Sequence, residues 1–206
     1  RLLDVPGETL PHVSHFFEDP HKYFKKRLLV VGGRNSAVEA ALRCYHAGAN
    51  VAISYRRGRF DPAHVKYWLL PELEGRIERG EIKGYLATTV ESIDQDGVML
   101  VSKESGKTEK VPADFVLLQT GYVADMSLFR KLGVELTPPD DAPRYTKETM
   151  ETTVPGVFVA GTAVGGTQTS YRVFIENCHV HAERICAALT RSPPPSLPPA
   201  HGLPES

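Results

Sequence analysis

A glycine-rich turn holds the residues of this sequence that are best suited to bind a ligand. The segment Gly32-Gly33-Arg34-Asn35-Ser36-Ala37 follows the apolar run of residues 28–31 and precedes a stretch with helical spacing. It fits the dinucleotide fingerprint G-x-G-x-x-A at its first and last positions, with Arg34 at the middle one. In that fingerprint the N–H groups that open a helix hold a pyrophosphate. We therefore predict that these six residues bind a dinucleotide; a plain glycine-rich strand-to-helix turn is the structural alternative.

Two arginines stand where the next strand is expected to end, in the segment Ser54-Tyr55-Arg56-Arg57. Enzymes that use NAD place an acidic residue there to hold the ribose hydroxyls, and none is present. Guanidinium groups suit a 2′-phosphate instead, because they form charge-assisted hydrogen bonds with its oxygens. Tyr55, Arg56 and Arg57 are thus predicted to favour NADPH over NADH. A solvated basic turn is the alternative, and nucleic-acid binding is disfavoured by a net charge of -1.

The sequence offers no residues with the spacing of a catalytic or metal centre. Cys44, Cys178 and Cys186 include no C-x-x-C pair, so we predict no catalytic cysteine and regard all three as structural. Two of them, Cys178 and Cys186, are expected to pack on one helix. His179 and His181 lie two positions apart on that helix and so point to different sides, which excludes a shared metal ion. Three cysteines without a disulfide pattern fit a reducing compartment, and we expect a cytoplasmic protein.

The elements around the turn predict an α/β fold. Residues 28–31 and 51–55 read as buried strands joined by a helix that Gly48 ends, which makes a βαβ unit with a parallel sheet. A second helix is expected after Pro62, with a kink at Pro71, and residues 82–86 as a third parallel strand. Four short runs predict an antiparallel meander: residues 88–93, 98–102, 109–111 and 115–118. Residues 1–26 are expected to be an extended connector with a short helix near Phe16 and Phe17.

The second half of the chain predicts part of another α/β domain. We expect a short helix at residues 127–131, a strand at 157–160, a helix at 171–189 and a disordered proline-rich tail. The predicted units are residues 1–122, 123–190 and 191–206. No apolar run approaches the roughly 18 residues that cross a bilayer, so no membrane span is expected. The first residue is not Met, and we expect the chain to be part of a longer protein.

Longer stretches of the sequence resemble thioredoxin-reductase-like flavoproteins. Residues 30–41 are similar to the NADPH loop of that family, and Tyr55-Arg56-Arg57 to its 2′-phosphate motif. Residues 113–122 and 153–162 are similar to the two strands that lead from its NADPH domain back to its flavin domain. Three further segments look closest to the YpdA-type bacillithiol-disulfide reductases: residues 71–74, 148–152 and 174–177.

The resemblance implies a fold, cofactors and an activity. It implies a Rossmann-like three-layer (ββα) NADPH-binding domain with an antiparallel meander, followed by the C-terminal half of a similar FAD-binding domain. Gly121, Gly161 and Thr162 join the cofactor-binding residues on this basis. NADPH would deliver hydride to FAD, and the flavin would reduce a low-molecular-weight disulfide such as bacillithiol disulfide. The whole protein would be a homodimer.

The sequence also departs from the family pattern. It lacks the C-x-x-C pair of thioredoxin reductases, so reduction of thioredoxin by a dithiol is not expected. Thr162 stands where the family usually has an aspartate that holds the flavin ribityl chain. The N-terminal flavin half is absent, so this chain by itself is expected to bind NADPH but not FAD, without turnover. Two alternatives stay open: a ferredoxin or flavodoxin NADP reductase of the same fold, and a stand-alone NADPH-binding module.

Overall fold

Two compact units divide the chain between Gly121 and Tyr122. The computed structural model describes residues 1–168 and 173–193. In the first unit the strands are β1 (Val13–Ser14), β2 (Arg27–Val31), β3 (Asn50–Tyr55), β4 (Lys83–Leu86), β5 (Thr88–Ile93), β6 (Gly97–Ser102), β7 (Thr108–Pro112) and β8 (Phe115–Leu118). The α-helices are α1 (Asn35–His46) and α2 (Leu70–Glu78), and 3-10 helices span Pro20–Tyr23 and Pro62–His64.

Five of these strands form a parallel sheet in the order β1-β8-β2-β3-β4. Helix α1 connects β2 to β3, and the segment with α2 connects β3 to β4. Strands β5, β6 and β7 form a separate antiparallel sheet. The predicted βαβ unit and its parallel sheet are therefore confirmed.

The alternation of side chains along β2 explains the three layers. Leu28 and Val30 pack in the core that contains α1 and α2, while Leu29 and Val31 pack in the core that contains the antiparallel sheet. All four are buried, because a strand covered on both faces needs apolar side chains on both. The predicted ββα arrangement is confirmed: helices cover one face of the parallel sheet and the meander covers the other.

The sequence pattern places the run 115–118 in the meander, and this prediction is wrong. The strand it forms, β8, lies between β1 and β2 in the parallel sheet. Its side chains enter both cores, since Leu117 packs on the helical side and Val116 and Leu118 on the meander side. A strand at the edge of a two-layer meander would have kept one polar face, so the uninterrupted apolar run was the signal for the central sheet.

Three local features of the first unit bear on the predictions made for it. The connector contributes β1 to the sheet, and its helical turn is the 3-10 helix at Pro20–Tyr23 rather than a helix near Phe16 and Phe17. Pro71 does not kink a long helix: it lies in the first turn of α2, where a missing N–H costs no hydrogen bond. Gly48, with φ of +89°, follows the end of α1 as predicted.

The second unit is built from short elements. They are α3 (Ser127–Lys131), β9 (Leu136–Thr137), β10 (Ala142–Pro143), 3-10 helices at Gly161–Gly165 and Ile175–Asn177, and α4 (His179–Thr190). Met150, Val159 and Val164 form its buried core. The predicted helix 127–131 is confirmed.

Other expectations for this unit fail. Residues 157–160 form no strand, only a single bridge between Phe158 and Glu151. The last helix begins at His179 and not at residue 171, because the 3-10 turn at Ile175–Asn177 precedes it. Residues 171–172 and the tail from 194 lie outside the described residues, and the predicted disorder of that tail with them.

Candidate dinucleotide-binding site

Gly32 begins the turn from β2 to α1 in a space that admits no side chain. Its φ is +148°, a value that L-residues with a Cβ rarely adopt. A Cβ there would lie 2.4 Å from the carbonyl oxygen of Gln119 and 2.9 Å from the Cβ of Ala37. The Gly32 N–H donates to the Ser54 carbonyl at 2.9 Å. The turn is therefore held between β3 and the residue that follows β8, and the small side chain of Ala37 lets α1 start close beneath it.

Gly33 is required by a different neighbour, the ring of Tyr55. A Cβ on Gly33 would lie 2.3 Å from the Tyr55 Cγ. Tyr55 is only 7% exposed, and its ring stacks on Phe60 with centroids 5.4 Å apart and an angle of 7° between planes. Tyr55 thus supports the glycine turn from below. The sequence predicts it as a cofactor-binding residue, but its buried ring presents little surface to a ligand.

Helix α1 opens without a side-chain cap. Arg34 is its N-cap residue with an extended backbone, φ -110° and ψ -177°, and its side chain makes no capping hydrogen bond. The first N–H to bond back within the helix is that of Val38, which donates to the Arg34 carbonyl at 3.0 Å. The N–H groups of the three residues between them have no acceptor within the helix by its geometry. Arg34 is exposed and Ser36 lies in the first turn, so an anion could accept these hydrogen bonds from the solvent side.

The side chain of Asn35 has a partner that the sequence did not indicate. Its Oδ1 accepts the backbone N–H of Lys66 at 2.6 Å. The two residues are 31 positions apart, in different connections of the sheet. Asn35 therefore ties the loop before α2 to the first residue of α1.

Arg56 and Arg57 follow β3 directly, and both are exposed. The Arg57 carbonyl accepts the Ala87 N–H at 2.9 Å, which fixes the backbone at the end of the strand. Its guanidinium Nη1 lies 3.4 Å from Asp61 Oδ2. The pKa of Asp61 is lowered, mainly by the hydrogen bond from the Ala63 N–H, then by His64 and Arg57. Two exposed guanidinium groups thus stand at the carboxyl end of β3, and one of them is paired with Asp61.

The remaining candidate residues fall in two places. Gly121, with φ of +92°, follows β8 at the same end of the parallel sheet as the glycine turn. Gly161 and Thr162 begin a 3-10 helix in the second unit. The Gly161 N–H donates to His181 Nδ1 at 3.2 Å. Burial lowers the pKa of His181, and Arg184 and His179 lower it further, so the neutral ring acts as acceptor.

The three cysteines differ in their burial. All three are free. Burial raises the pKa of Cys44 to about 12, which keeps its thiol protonated. Helix α4 begins at His179, so Cys178 precedes it, and Cys186 lies on it but is exposed. The prediction that both cysteines pack on one helix is therefore wrong. Among residues 1–168 and 173–193 no group of His, Cys, Asp or Glu side chains could hold a metal ion. The same residues include no helix with the length and apolarity needed to cross a bilayer.

Comparison with known proteins identifies the family of this chain. Residues 1–161 match the family model described as pyridine nucleotide-disulphide oxidoreductase. This chain belongs to that family.

Individual relatives are similar over most of the chain. Bacilliredoxin reductase Bdr of Bacillus subtilis is 39% identical over 191 residues, which cover 93% of this chain and 58% of that protein. The solved structure of bacillithiol disulfide reductase Bdr (YpdA) from Staphylococcus aureus is 31% identical with a TM-score of 0.83, and again 93% and 58% are covered. A ferredoxin–NADP reductase of Ignicoccus hospitalis is 28% identical over 78% of this chain and 51% of its own length. The chain thus spans about half to three fifths of the length of these relatives.

Proposed function

We propose that this chain is the NADPH-binding part of an FAD-dependent disulfide reductase. The observation that carries the proposal is the joint geometry at the carboxyl end of the sheet. A turn that only glycine can form leads into an uncapped helix, and two exposed arginines stand at the end of the next strand. The proposed NADPH-binding region spans residues 12–122, with residues 123–190 contributing to a flavin domain.

The residues of the first unit fit NADPH part by part. The N–H groups that open α1 would hold the pyrophosphate, and the positive end of the helix dipole would favour its charge. Gly32 and Gly33 let the chain turn closely against Gln119 and Tyr55 as it enters that helix. Arg56 and Arg57 would hold the 2′-phosphate, with Arg57 exchanging part of its contact with Asp61. Arg34, exposed at the N-cap position, would add a cation beside the phosphates.

The second unit fits only one part of FAD. Gly161 and Thr162 begin a 3-10 helix of five residues, and the described residues of this unit hold no glycine turn that opens an α-helix. Gly161 and Thr162 would touch the ribityl chain, so most of the flavin site would lie outside this chain. When bound, NADPH supplies a hydride that FAD accepts, and a disulfide then takes up two electrons and two protons to leave as two thiols.

The substrate class follows from the relatives. The matches to a bacilliredoxin reductase and to a bacillithiol disulfide reductase each cover 93% of this chain. We therefore propose that its substrate is also a low-molecular-weight disulfide of the bacillithiol type. We also propose that the whole protein is a cytoplasmic homodimer that binds neither nucleic acid nor membranes. The near balance of 24 basic and 25 acidic residues supports the absence of a nucleic-acid partner.

Calorimetry on this chain tests the cofactor. We expect it to bind NADPH more tightly than NADH, and the double variant Arg56→Ala/Arg57→Ala to lose about ten-fold or more in NADPH affinity, since each charge-assisted bond contributes about 1.5–3 kcal/mol. Arg43→Ala is the matched control, because Arg43 lies exposed in the last turn of α1, away from the glycine turn. Equal affinity of the unmodified chain for NADH and NADPH would refute the proposal.

A ferredoxin–NADP reductase is the second candidate, because a protein of that name is similar to 78% of this chain. The flavin-loaded protein, given NADPH and either bacillithiol disulfide or ferredoxin, separates the two. Faster turnover of the disulfide would support the proposed disulfide reductase. Faster turnover of ferredoxin would instead support a ferredoxin–NADP reductase. NADPH binding without flavin reduction would favour the stand-alone binding module.

A further inference from the structure

Two aromatic side chains stand exposed on the loop that leads into α2. Tyr67 is 73% exposed and Trp68 is 50% exposed. Their rings are perpendicular, at 90°, with centroids 4.8 Å apart. Two residues that flank this pair, Val65 and Leu70, are buried. The pair is therefore presented outwards by a loop whose neighbouring residues are anchored in the core.

This loop is also fixed next to the candidate dinucleotide site. The Lys66 N–H donates to Asn35 Oδ1 at 2.6 Å, and Asn35 is the first residue of α1. The Lys66 carbonyl in turn accepts the N–H groups of Leu69 and Leu70, at 3.0 and 3.3 Å. Tyr67 and Trp68 lie within this closed turn. Tyr67 and Trp68 thus follow directly after a residue that is hydrogen-bonded to the first residue of α1, where the helix has N–H groups free to bind an anion.

The topology assigns the loop to one side of that site. A dinucleotide bound at the carboxyl end of a parallel sheet crosses the α1 N-terminus, with its adenosine half over the strand that follows the helix. That strand is β3, and the loop of Tyr67 and Trp68 is part of the connection from β3 to β4. Arg56 and Arg57 begin the same connection. The aromatic pair and the proposed 2′-phosphate site therefore share the adenosine side.

We propose that Trp68, with the Tyr67 ring packed at a right angle to it, provides the stacking surface for the adenine ring of the bound dinucleotide. The inference rests on the proposed function, since it needs a dinucleotide on the glycine turn. Exposed aromatic faces bind nucleobases by stacking, and the Lys66 Nζ, 5.4 Å from the centre of the Trp68 ring, adds a cation suited to a phosphate nearby. In this proposal the aromatic pair binds the adenine base, while Arg56 and Arg57 bind the 2′-phosphate of the same adenosine.

Binding of 2′,5′-ADP, which carries the adenine and the 2′-phosphate but no nicotinamide, tests the proposal. We expect Trp68→Ala to weaken its affinity about ten-fold, because the stacking of the base on the indole ring is lost. Trp68→Phe should stay within about three-fold of the unmodified chain, because a phenyl ring still stacks. Phe24→Ala is the matched control: Phe24 is 52% exposed, close to Trp68 in exposure, but precedes β2 at the other end of the sheet.

Fluorescence gives a second measurement, because Trp68 is the one tryptophan in the sequence. Saturation with 2′,5′-ADP should change its emission. If Trp68→Ala and Tyr67→Ala bind 2′,5′-ADP like the unmodified chain while Arg56→Ala/Arg57→Ala does not, the stacking proposal is wrong and the proposed function stands. If Trp68→Ala loses affinity for NADPH but not for 2′,5′-ADP, the rings face the nicotinamide half and the adenine assignment is overturned. If the unmodified chain binds neither compound, the proposed function itself fails.

Discussion

Adding one methyl group at Gly33 should test how the glycine turn is held. The new Cβ would meet the Tyr55 ring at 2.3–2.5 Å, far inside van der Waals contact. The ring cannot easily retreat, because Tyr55 is buried and stacked on Phe60. Overpacking of this kind costs about 1–3 kcal/mol, from which about 0.4–1 kcal/mol is recovered by the lower entropy of the unfolded chain. We therefore expect Gly33→Ala to lower the free energy of unfolding by about 1–2 kcal/mol.

A double-mutant cycle separates this clash from other effects of the substitution. Tyr55→Ala alone should cost about 3–5 kcal/mol, as for a large buried aromatic side chain. With the ring removed, the Gly33→Ala change should keep only its entropic gain of about 0.4–1 kcal/mol, so the coupling energy should equal the clash of about 1–3 kcal/mol. Gly32→Ala is the contrasting variant: its Cβ would meet the Gln119 carbonyl at 2.4 Å at a φ of +148°, and Tyr55→Ala relieves neither.

Urea unfolding followed by Trp68 emission measures all four corners of the cycle, because the single tryptophan lies in the first unit. NADPH affinity measured on the folded variants should fall for Gly33→Ala and recover in part when Tyr55→Ala is added. An equal cost of Gly33→Ala with and without the Tyr55 ring would refute the reasoning. So would a Gly33→Ala variant as stable as the unmodified chain.

Two further outcomes follow from the titrating groups. At mildly alkaline pH the exposed Cys186 should react quickly with a thiol reagent. The buried Cys44, with its pKa raised to about 12, should react only when the chain unfolds. Fast labelling of Cys44 in the native chain would contradict this. His181 accepts a hydrogen bond while neutral, and its pKa is below the ordinary 6.5. The free energy of unfolding of the second unit should therefore fall as pH drops below about 6.5. His181→Gln should flatten this pH dependence, and an unchanged slope would contradict the role given to His181.

Much of the first unit could be predicted because its signals are local. The four apolar residues before Gly32, the helical spacing after it and Gly48 at its end are each properties of neighbouring residues. Such signals predict the βαβ unit without knowledge of the partners. The order of the strands is different, because pairing is decided by residues far apart in sequence. The two-residue strand β1 pairs with β8, whose Val116 lies opposite Val13, and nothing in the residues of β1 indicates this.

The second unit shows the limit of propensity. Residues 157–160 have the apolar, β-branched composition of a strand, but no neighbouring strand is available among the described residues beyond one bridge from Glu151. Val159 is nevertheless 1% exposed, because it packs against Met150 and Val164 instead of lying in a ladder. A strand-like sequence predicts burial more reliably than it predicts pairing, since pairing needs a second strand at the right place.

The candidate site divides in the same way. The glycine turn and the arginines after β3 were predictable because the fingerprint lies within one short segment and one strand end. The residues that hold the turn were not, since each contact comes from a different part of the sheet. The Gln119 carbonyl lies against Gly32, the Tyr55 ring against Gly33, and the Lys66 N–H bonds to Asn35.

The contacts of Gln119, Tyr55 and Lys66 come from separate strand ends and connections, and together they fix where the dinucleotide would bind. A glycine turn without support could adopt many conformations, since glycine itself is permissive. In this chain, contacts with other segments restrict the turn. The Gln119 carbonyl restricts Gly32 and the Tyr55 ring restricts Gly33. The hydrogen bond from Lys66 to Asn35 fixes the start of α1. The proposed pyrophosphate contacts therefore depend on a carbonyl, a ring and a backbone N–H that hold the turn and the helix start in place. The loop tied to Asn35 also carries the aromatic pair, so the hydrogen bond between Asn35 and Lys66 links the proposed phosphate contacts to the proposed adenine contact.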